Sequence, residues 1–229
     1  GVLLALALIA LAWFALRQEE TLTPDRRTPF SVLQIGRAIR ETCTHRAAFG
    51  YTIAAGLVFG AFIGYLNSAQ QIFQVQYGLG RMFPVYFAVL ALSIGGASWL
   101  NSRLVMRFGM RRLSGLAVSA LSGLSLAFLA VAWAAAGDPP LWVLMAYLMA
   151  AFFCIGILFG NFNALAMDPL GHIAGVAASV IGSLTTFISL ALGTAIGQGY
   201  DGTVLPLVGG FAALGIASFT VMRWVERGR

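Results

Sequence analysis

The side chains in this chain that could do chemistry within its long apolar runs are neutral amides, phenols and hydroxyls. Asn67, Gln70 and Gln71 fall at i, i+3 and i+4, which puts all three amides on one face of a helix. Asn161 and Asn163 are two residues apart, about 200° around a helix, so only one of them can face a given cavity. With Tyr51, Tyr147, Thr185 and Thr186 these five are the polar candidates for interhelical hydrogen bonding or substrate contact. Such groups donate and accept hydrogen bonds without charge. Each can tie helices together or contact a substrate, and both roles stay open. The chemistry of enzymes has no foothold: GxGxxG after a strand, a P-loop, HExxH and GxSxG are all missing. His45 and His172 stand singly and read as surface side chains. Cys43 and Cys154 belong to different elements, so no disulfide, metal centre or cofactor is expected.

The elements that must hold these groups are membrane spans. Of 229 residues, 59% are hydrophobic and 10% charged, with mean hydropathy +0.86, whereas a soluble domain carries about 25% charged residues. A hydrocarbon core of roughly 30 Å takes about 20 apolar residues of helix. Runs of that kind occupy 47–66, 82–100, 115–136, 141–167, 173–197 and 204–221. Residues 1–16 read as the end of a further span whose beginning is missing, so the chain is expected to be a fragment. Residues 17–46 read as a cytoplasmic linker broken by Pro24 and Pro29. Within it Phe30, Leu33, Ile35, Ala38 and Ile39 recur at roughly helical spacing, as an amphipathic helix at the headgroups or a solvated linker helix would have them.

Charge sets the orientation. All 14 basic residues are arginines, and 13 of them fall in 17–46, 101–114 and 223–229. Those segments are separated by even numbers of spans, so one side collects them, and the positive-inside rule makes it the cytoplasmic side. The segment 101–114 then reads as a short basic loop carrying Arg103, Arg107, Arg111 and Arg112. The C-terminus is cytoplasmic, as is the arginine-free turn 167–172, while the turns with Asp138 and Asp201 face outward. Arg81 is the one outward arginine, at a span end where it can snorkel. The net charge of +6 is thus explained by topology. A nucleic-acid site would need a contiguous basic face on a soluble surface, and none is expected.

Helices in lipid are held by close approach through small residues. Gly56, Gly60 and Gly64 recur every fourth residue, extended by Thr52 and Ser68. Gly156 with Gly160 forms a second ladder, Gly171, Gly175, Ser179 and Ser183 a third, and Gly193 with Gly197 a fourth. Static packing and sliding faces are both compatible with them. No Asp, Glu, Lys, Arg or His lies at hydrocarbon depth, where a charge costs about 2.5–3.5 kcal/mol on insertion scales. These spans therefore offer no proton carrier. Their few polar groups suit a small amphipathic or apolar substrate better than a sugar, whose hydroxyls each want a partner. Phe59, Phe62, Phe152 and Phe153 could line an apolar cavity, pack internally or face lipid.

Residues 102–112 resemble the loop motif G-x-L-x-D-R-x-G-R-R, which transporters of the major facilitator superfamily carry between helices 2 and 3 and, in degenerate form, between helices 8 and 9. Leu104, Arg107, Gly109, Arg111 and Arg112 match, while Ser102 and Met106 stand where the motif has Gly and Asp. Asn67 through Gln74, Tyr77-Gly78-Leu79, Asn161 through Met167 and Gly171 through Ser179 resemble the C-terminal half of bicyclomycin/chloramphenicol-resistance (Bcr/CflA) multidrug efflux transporters. The resemblance implies an all-α integral membrane fold, the six-helix half formed by helices 7 to 12 plus the end of helix 6. It divides the chain into truncated helix 6 (1–16), central linker (17–46) and bundle (47–229). It implies drug/proton antiport by alternating access in a bacterial inner membrane, with substrate between two halves near the midplane. The coupling carboxylate would lie in the missing N-terminal half, and helices 7 and 10, with Asn67, Gln70, Gln71, Asn161 and Asn163, would line the cavity. A sugar or metabolite carrier of the same fold, or a membrane protein that does not transport, are the alternatives.

Overall fold

A computed structural model describes residues 2–18 and 32–228. They form eight α-helices: α1 (Val2–Arg17), α2 (Val32–Thr44), α3 (Arg46–Gln70), α4 (Phe83–Phe108), α5 (Met110–Ala134), α6 (Leu141–Met167), α7 (Ala174–Gln198) and α8 (Leu205–Glu226). The last six run for 22 to 27 residues, long enough to cross a bilayer core. Leu141–Gln198 is one apolar helical run, turned by a 3₁₀ segment (Asp168–Ile173) at Leu170, whose backbone leaves helical geometry. The chain divides into two compact units, Gly1–Gln34 and Ile35–Arg229. In the first, α1 exposes every described side chain, and the Arg17 guanidinium lies 5.2 Å from the Trp13 ring.

The second unit takes in most of α2, whose Ala38 and Thr42 are buried. The face expected to be apolar is only partly used. Leu33 and Ile39 stay exposed, and Phe30, Pro24 and Pro29 lie outside the described residues. Glu41 of α2 accepts from the His172 Nε2 at 2.8 Å, and the His45 Nδ1 accepts from the Ala48 N–H at the start of α3. Both histidines are exposed surface side chains, as expected, and each makes one hydrogen bond.

The structure corrects the expected basic loop. Helix α4 continues to Phe108 and α5 starts at Met110, so Gly109 alone connects them. Arginine is a good helix former, and Arg107 in the last turn of α4 suits the negative end of its dipole. Gly109 has φ 77 and ψ 152, a conformation open to glycine and closed to residues with a Cβ.

Side-chain registers give the path of the chain. Gly56, Gly60 and Gly64 of α3 lie against Ile188, Leu192 and Ile196 of α7, so these helices run parallel. Ser93, Ser98 and Asn101 of α4 reach Met149, Gly156 and Asn161 of α6, again in parallel. Ser218 of α8 donates to the Ala54 carbonyl while Val225 meets Gly50, so α8 runs antiparallel to α3. Helix α5 meets α6 through Tyr147–Ser125 and runs antiparallel to α8, with Ser122 at Gly215 and Gly115 at Met222. The six helices thus alternate in direction, and two sets of ends result. One holds Arg46, Arg107, Arg111, Asp168 and Arg223; the other holds the turns around Gln76, Asp138 and Asp201.

The glycine ladders sort by contact. A Cβ at Gly56 or Gly64 would come within 2.9 Å of Ile188 or 2.8 Å of Ile196, one at Gly60 within 3.2 Å of Leu192, and one at Gly156 within 2.7 Å of the Ile94 carbonyl oxygen. Gly160, Gly171 and Gly175 face open space, so the packing expected of Gly160 and Gly175 is not made among the described residues. Helix α7 turns a different stripe inward, Ala177, Ile181, Thr185, Ser189 and Gly193. Spacing thus marked two faces of α7: Gly175 looks outward, while a Cβ at Gly193 or Gly197 would lie 2.5 Å from Ile63 or 2.4 Å from Asn67 of α3.

Candidate functional site

Asn67 and Gln70 of α3, and Gln71 just beyond it, sit where its regular hydrogen bonding ends. A π-helical turn, Gln71–Gln76, continues α3, and such turns leave carbonyls short of their usual partners. The Gln71 amide nitrogen, oriented by its hydrogen bonds, donates back to the Asn67 and Ser68 carbonyl oxygens at 3.0 and 3.2 Å. Asn67 and Gln71 then line a cleft of about 470 Å3 with Thr194, Gly197, Gln198 and Tyr200 from the end of α7. The helices are held together at its floor, because a Cβ at Gly197 would lie 2.4 Å from the Asn67 Cβ. The Tyr200 hydroxyl reaches the Gln71 carbonyl at 3.4 Å. Gln70 is exposed outside this lining, so the expected three-amide face is divided. The cleft offers neutral donors and acceptors.

Three turns close over one another at the same end. The Gln76 amide donates to the Gly137 carbonyl at 3.1 Å and to the Asp138 carboxylate at 2.9 Å. The Tyr77 hydroxyl donates to the Pro139 carbonyl at 2.6 Å. Val204 N–H donates to the Gly137 carbonyl at 3.0 Å, and a Cβ on Gly137 would strike Thr203 at 2.5 Å. Burial pushes the Tyr77 phenol up to about 12, with the Asp138 carboxylate adding to the rise. Asp201 accepts from the Thr203 hydroxyl at 2.7 Å and its N–H at 3.0 Å, and these bonds hold its carboxyl below the usual range.

Deeper in the bundle the amides are spoken for. Asn161 is 3% exposed and forms a reciprocal pair with Asn101, each amide donating to the other at 3.0 Å. Asn101 belongs to the segment expected to be a loop, and the continuation of α4 to Phe108 brings it to this depth. Asn163 donates to the Phe159 carbonyl of its own helix at 3.2 Å. Tyr147 donates to Ser125 at 2.9 Å. Tyr65 is buried among Phe62, Phe73, Phe87 and Phe152, the last ring perpendicular at 4.7 Å, and its hydroxyl has no partner among the described residues. Phe152 is therefore core, while Phe59 meets the half-exposed Phe159 edge-on at 4.2 Å. The Thr185 hydroxyl is likewise buried without a partner.

Two open faces complete the picture. Beyond its buried stripe, α7 presents a shallow groove of about 620 Å3 lined by Ser179, Gly182, Ser183, Thr186, Phe187 and Leu190. Helix α4 buries only Leu90 and Ala97, leaving Leu92, Gly95, Gly96 and Trp99 exposed. At the opposite end from the amide cleft, Arg111 approaches Asp168 at 3.7 Å, which puts the arginine-free turn beside the arginines.

The chain is 25% identical over 200 residues to the uncharacterized MFS-type transporter YdgK of Bacillus subtilis (strain 168), covering 86% of this chain and 48% of that protein. It is 27% identical over 213 residues to a bicyclomycin resistance protein homolog of Haemophilus influenzae, covering 90% of this chain and 51% of that one. The chain spans about half the length of these curated relatives. No solved structure matches. The family model for the Major Facilitator Superfamily matches residues 1–194, and with its alternating apolar helices this all-α membrane chain belongs to that superfamily.

Proposed function

We propose that this chain supplies one six-helix half of a secondary multidrug efflux transporter, a drug/proton antiporter that works by alternating access. The observation that carries the reading is the amide cleft between α3 and α7. It joins neutral polar groups to an apolar, aromatic bundle without a charged side chain at hydrocarbon depth. An amphipathic compound finds hydrogen bonds and apolar surface there, whereas a cation or a sugar would leave charges or hydroxyls without partners. The likeness to a bicyclomycin resistance protein homolog supports drug export. Proton coupling then requires a carboxylate from outside these helices. The second six-helix half docks on the open faces of α7 and α4, a partner of the size that the chain's half-length coverage of its relatives calls for. Asn67 and Gln71 contact substrate; Gln70 stands at the rim. Arg46, Arg111 and Arg223 mark the cytoplasmic end.

Transport assays on proteoliposomes that hold this chain with its partner half test the reading. Gln71→Ala and Thr194→Ala should change the substrate profile or rate at unchanged protein level, and the chain alone should give no energy-dependent efflux. Variants that lose abundance but keep activity per molecule would make the cleft a packing feature, and efflux by the chain alone would remove the need for a second half.

A further inference from the structure

A cleft of about 290 Å3 lies between the start of α5 and the end of α8, at the arginine-rich end of the bundle. Arg111, Arg112, Leu116, Phe219, Arg223 and Glu226 line it. Three guanidiniums thus face one carboxylate. Among the described residues Arg111 has only the distant Asp168, at 3.7 Å, where a charge-assisted bond would be 2.7–2.9 Å. Arg112 and Arg223 have no carboxylate within ion-pair distance among the described residues. The start of α5 offsets none of this charge, since it has no side-chain cap and no acidic residue in its first turn. Among the described residues the cleft carries net positive charge, with Glu226 as its one carboxylate.

The cleft also has depth. Leu116 follows Arg112 by one turn into the span and is 63% exposed, and half-buried Phe219 precedes Arg223 by one turn on α8. Charge at the rim and exposed apolar wall one turn below fit an amphiphile whose anionic group sits at the membrane surface. We propose that this cleft binds an anionic phospholipid, its phosphate diester between Arg112 and Arg223 and the start of an acyl chain along Leu116 and Phe219. A free phosphate ester shares the headgroup chemistry but has no use for the apolar wall. Basic pockets between spans are suited to such headgroups.

Native mass spectrometry of the full chain, released from nanodiscs of phosphatidylcholine with added phosphatidylglycerol, reads the bound lipid. Phosphatidylglycerol should be retained over phosphatidylcholine. Arg112→Gln and Arg223→Gln should each lower its affinity about five-fold, and together about thirty-fold. Arg103→Gln should leave it unchanged, because that guanidinium lies over the Trp99 ring at 4.0 Å, outside the cleft. Glu226→Gln removes the competing carboxylate and should tighten binding about five-fold, a gain that misfolding cannot imitate. Leu116→Ser should weaken lipid binding, and millimolar glycerol phosphate should fail to displace the lipid. Displacement by glycerol phosphate with no effect of Leu116→Ser would assign the cleft to a soluble anion and overturn the lipid. Unchanged affinity in the folded double arginine variant, or no gain in Glu226→Gln, would overturn the site itself.

Discussion

Replacing Gly193 with alanine tests the α3–α7 contact most directly. The added Cβ would lie 2.5 Å from both Cβ and Cγ2 of Ile63 and 2.9 Å from the Gly60 carbonyl oxygen. A β-branched stem and a backbone atom cannot swing aside, and an unstrained carbon contact needs about 3.5–4.0 Å. The helices must therefore part by about 1 Å along a seam that Gly56, Gly60 and Gly64 keep close from the other side. Overpacking of this kind costs about 1–3 kcal/mol, and the rigid neighbours argue for the upper end. Against it stands the gain of about 1 kcal/mol from replacing glycine by alanine inside a helix. The net loss should be about 2 kcal/mol, roughly a thirty-fold fall in the folded to unfolded ratio. Gly160→Ala provides the control, because its Cβ would meet nothing within 4 Å and only the gain remains. Reversible unfolding in mixed micelles, followed by circular dichroism, should separate the two variants by about 3 kcal/mol. Equal stabilities would refute the claim that this seam is set by close approach.

Three further outcomes follow from other contacts. Asn161→Ala should destabilise the bundle by about 0.6–2 kcal/mol by orphaning Asn101, and the same unfolding assay should show Asn101→Leu with Asn161→Leu recovering part of that loss. Tyr77→Phe should cost about 1 kcal/mol of neutral hydrogen bond. Folding raises this phenol's pKa from 10.0 to about 12, so its stabilising contribution is intact below pH 10.0 and is lost as pH rises toward about 12; ultraviolet tyrosinate titration with and without the substitution should show that high step disappear. The Asp201 carboxyl is held low, so its contribution is present above the ordinary carboxylate range and lost as pH falls through the lowered value; Asp201→Ala should flatten that acid dependence in hydrogen exchange of the Thr203 amide.

The number of long helices, their order and the sorting of arginines to one end were legible in the sequence, because apolar length and charge are local properties. The ends of the helices were less so. Arg103 and Arg107 read as loop by their charge, yet a helix end at a membrane surface welcomes arginine, and α4 keeps its hydrogen bonds through Phe108. That extension is why Asn101 was missed as the partner of Asn161. The π-helical turn at Gln71–Gln76 has no residue signature at all, and with it came the split of Gln70 from Asn67 and Gln71.

The glycine ladders show where such reading stops for a physical reason. In water an apolar stripe declares its own inner face, since only burial favours it. In lipid both faces of a helix are apolar, and spacing shows that a close approach is possible without saying by whom. Gly56, Gly60 and Gly64 found their partner within this chain, in Ile188, Leu192 and Ile196. Gly171 and Gly175 have the same spacing, and they and Gly182 meet nothing within 4 Å among the described residues; Gly175 lies on the face of α7 opposite its inward stripe, and Gly182 beside that stripe. A glycine face that gains no packing still bears the entropic cost of glycine in a helix, about 1 kcal/mol per residue against alanine. Close approach by another helical surface would offset that cost, and the second six-helix half proposed above is the partner of the right size. Crosslinking between cysteines introduced at Gly175 or Gly182 and the partner half should therefore exceed that from Gly123 of α5, whose added Cβ also meets nothing; equal yields would mean that the α7 face serves lipid alone.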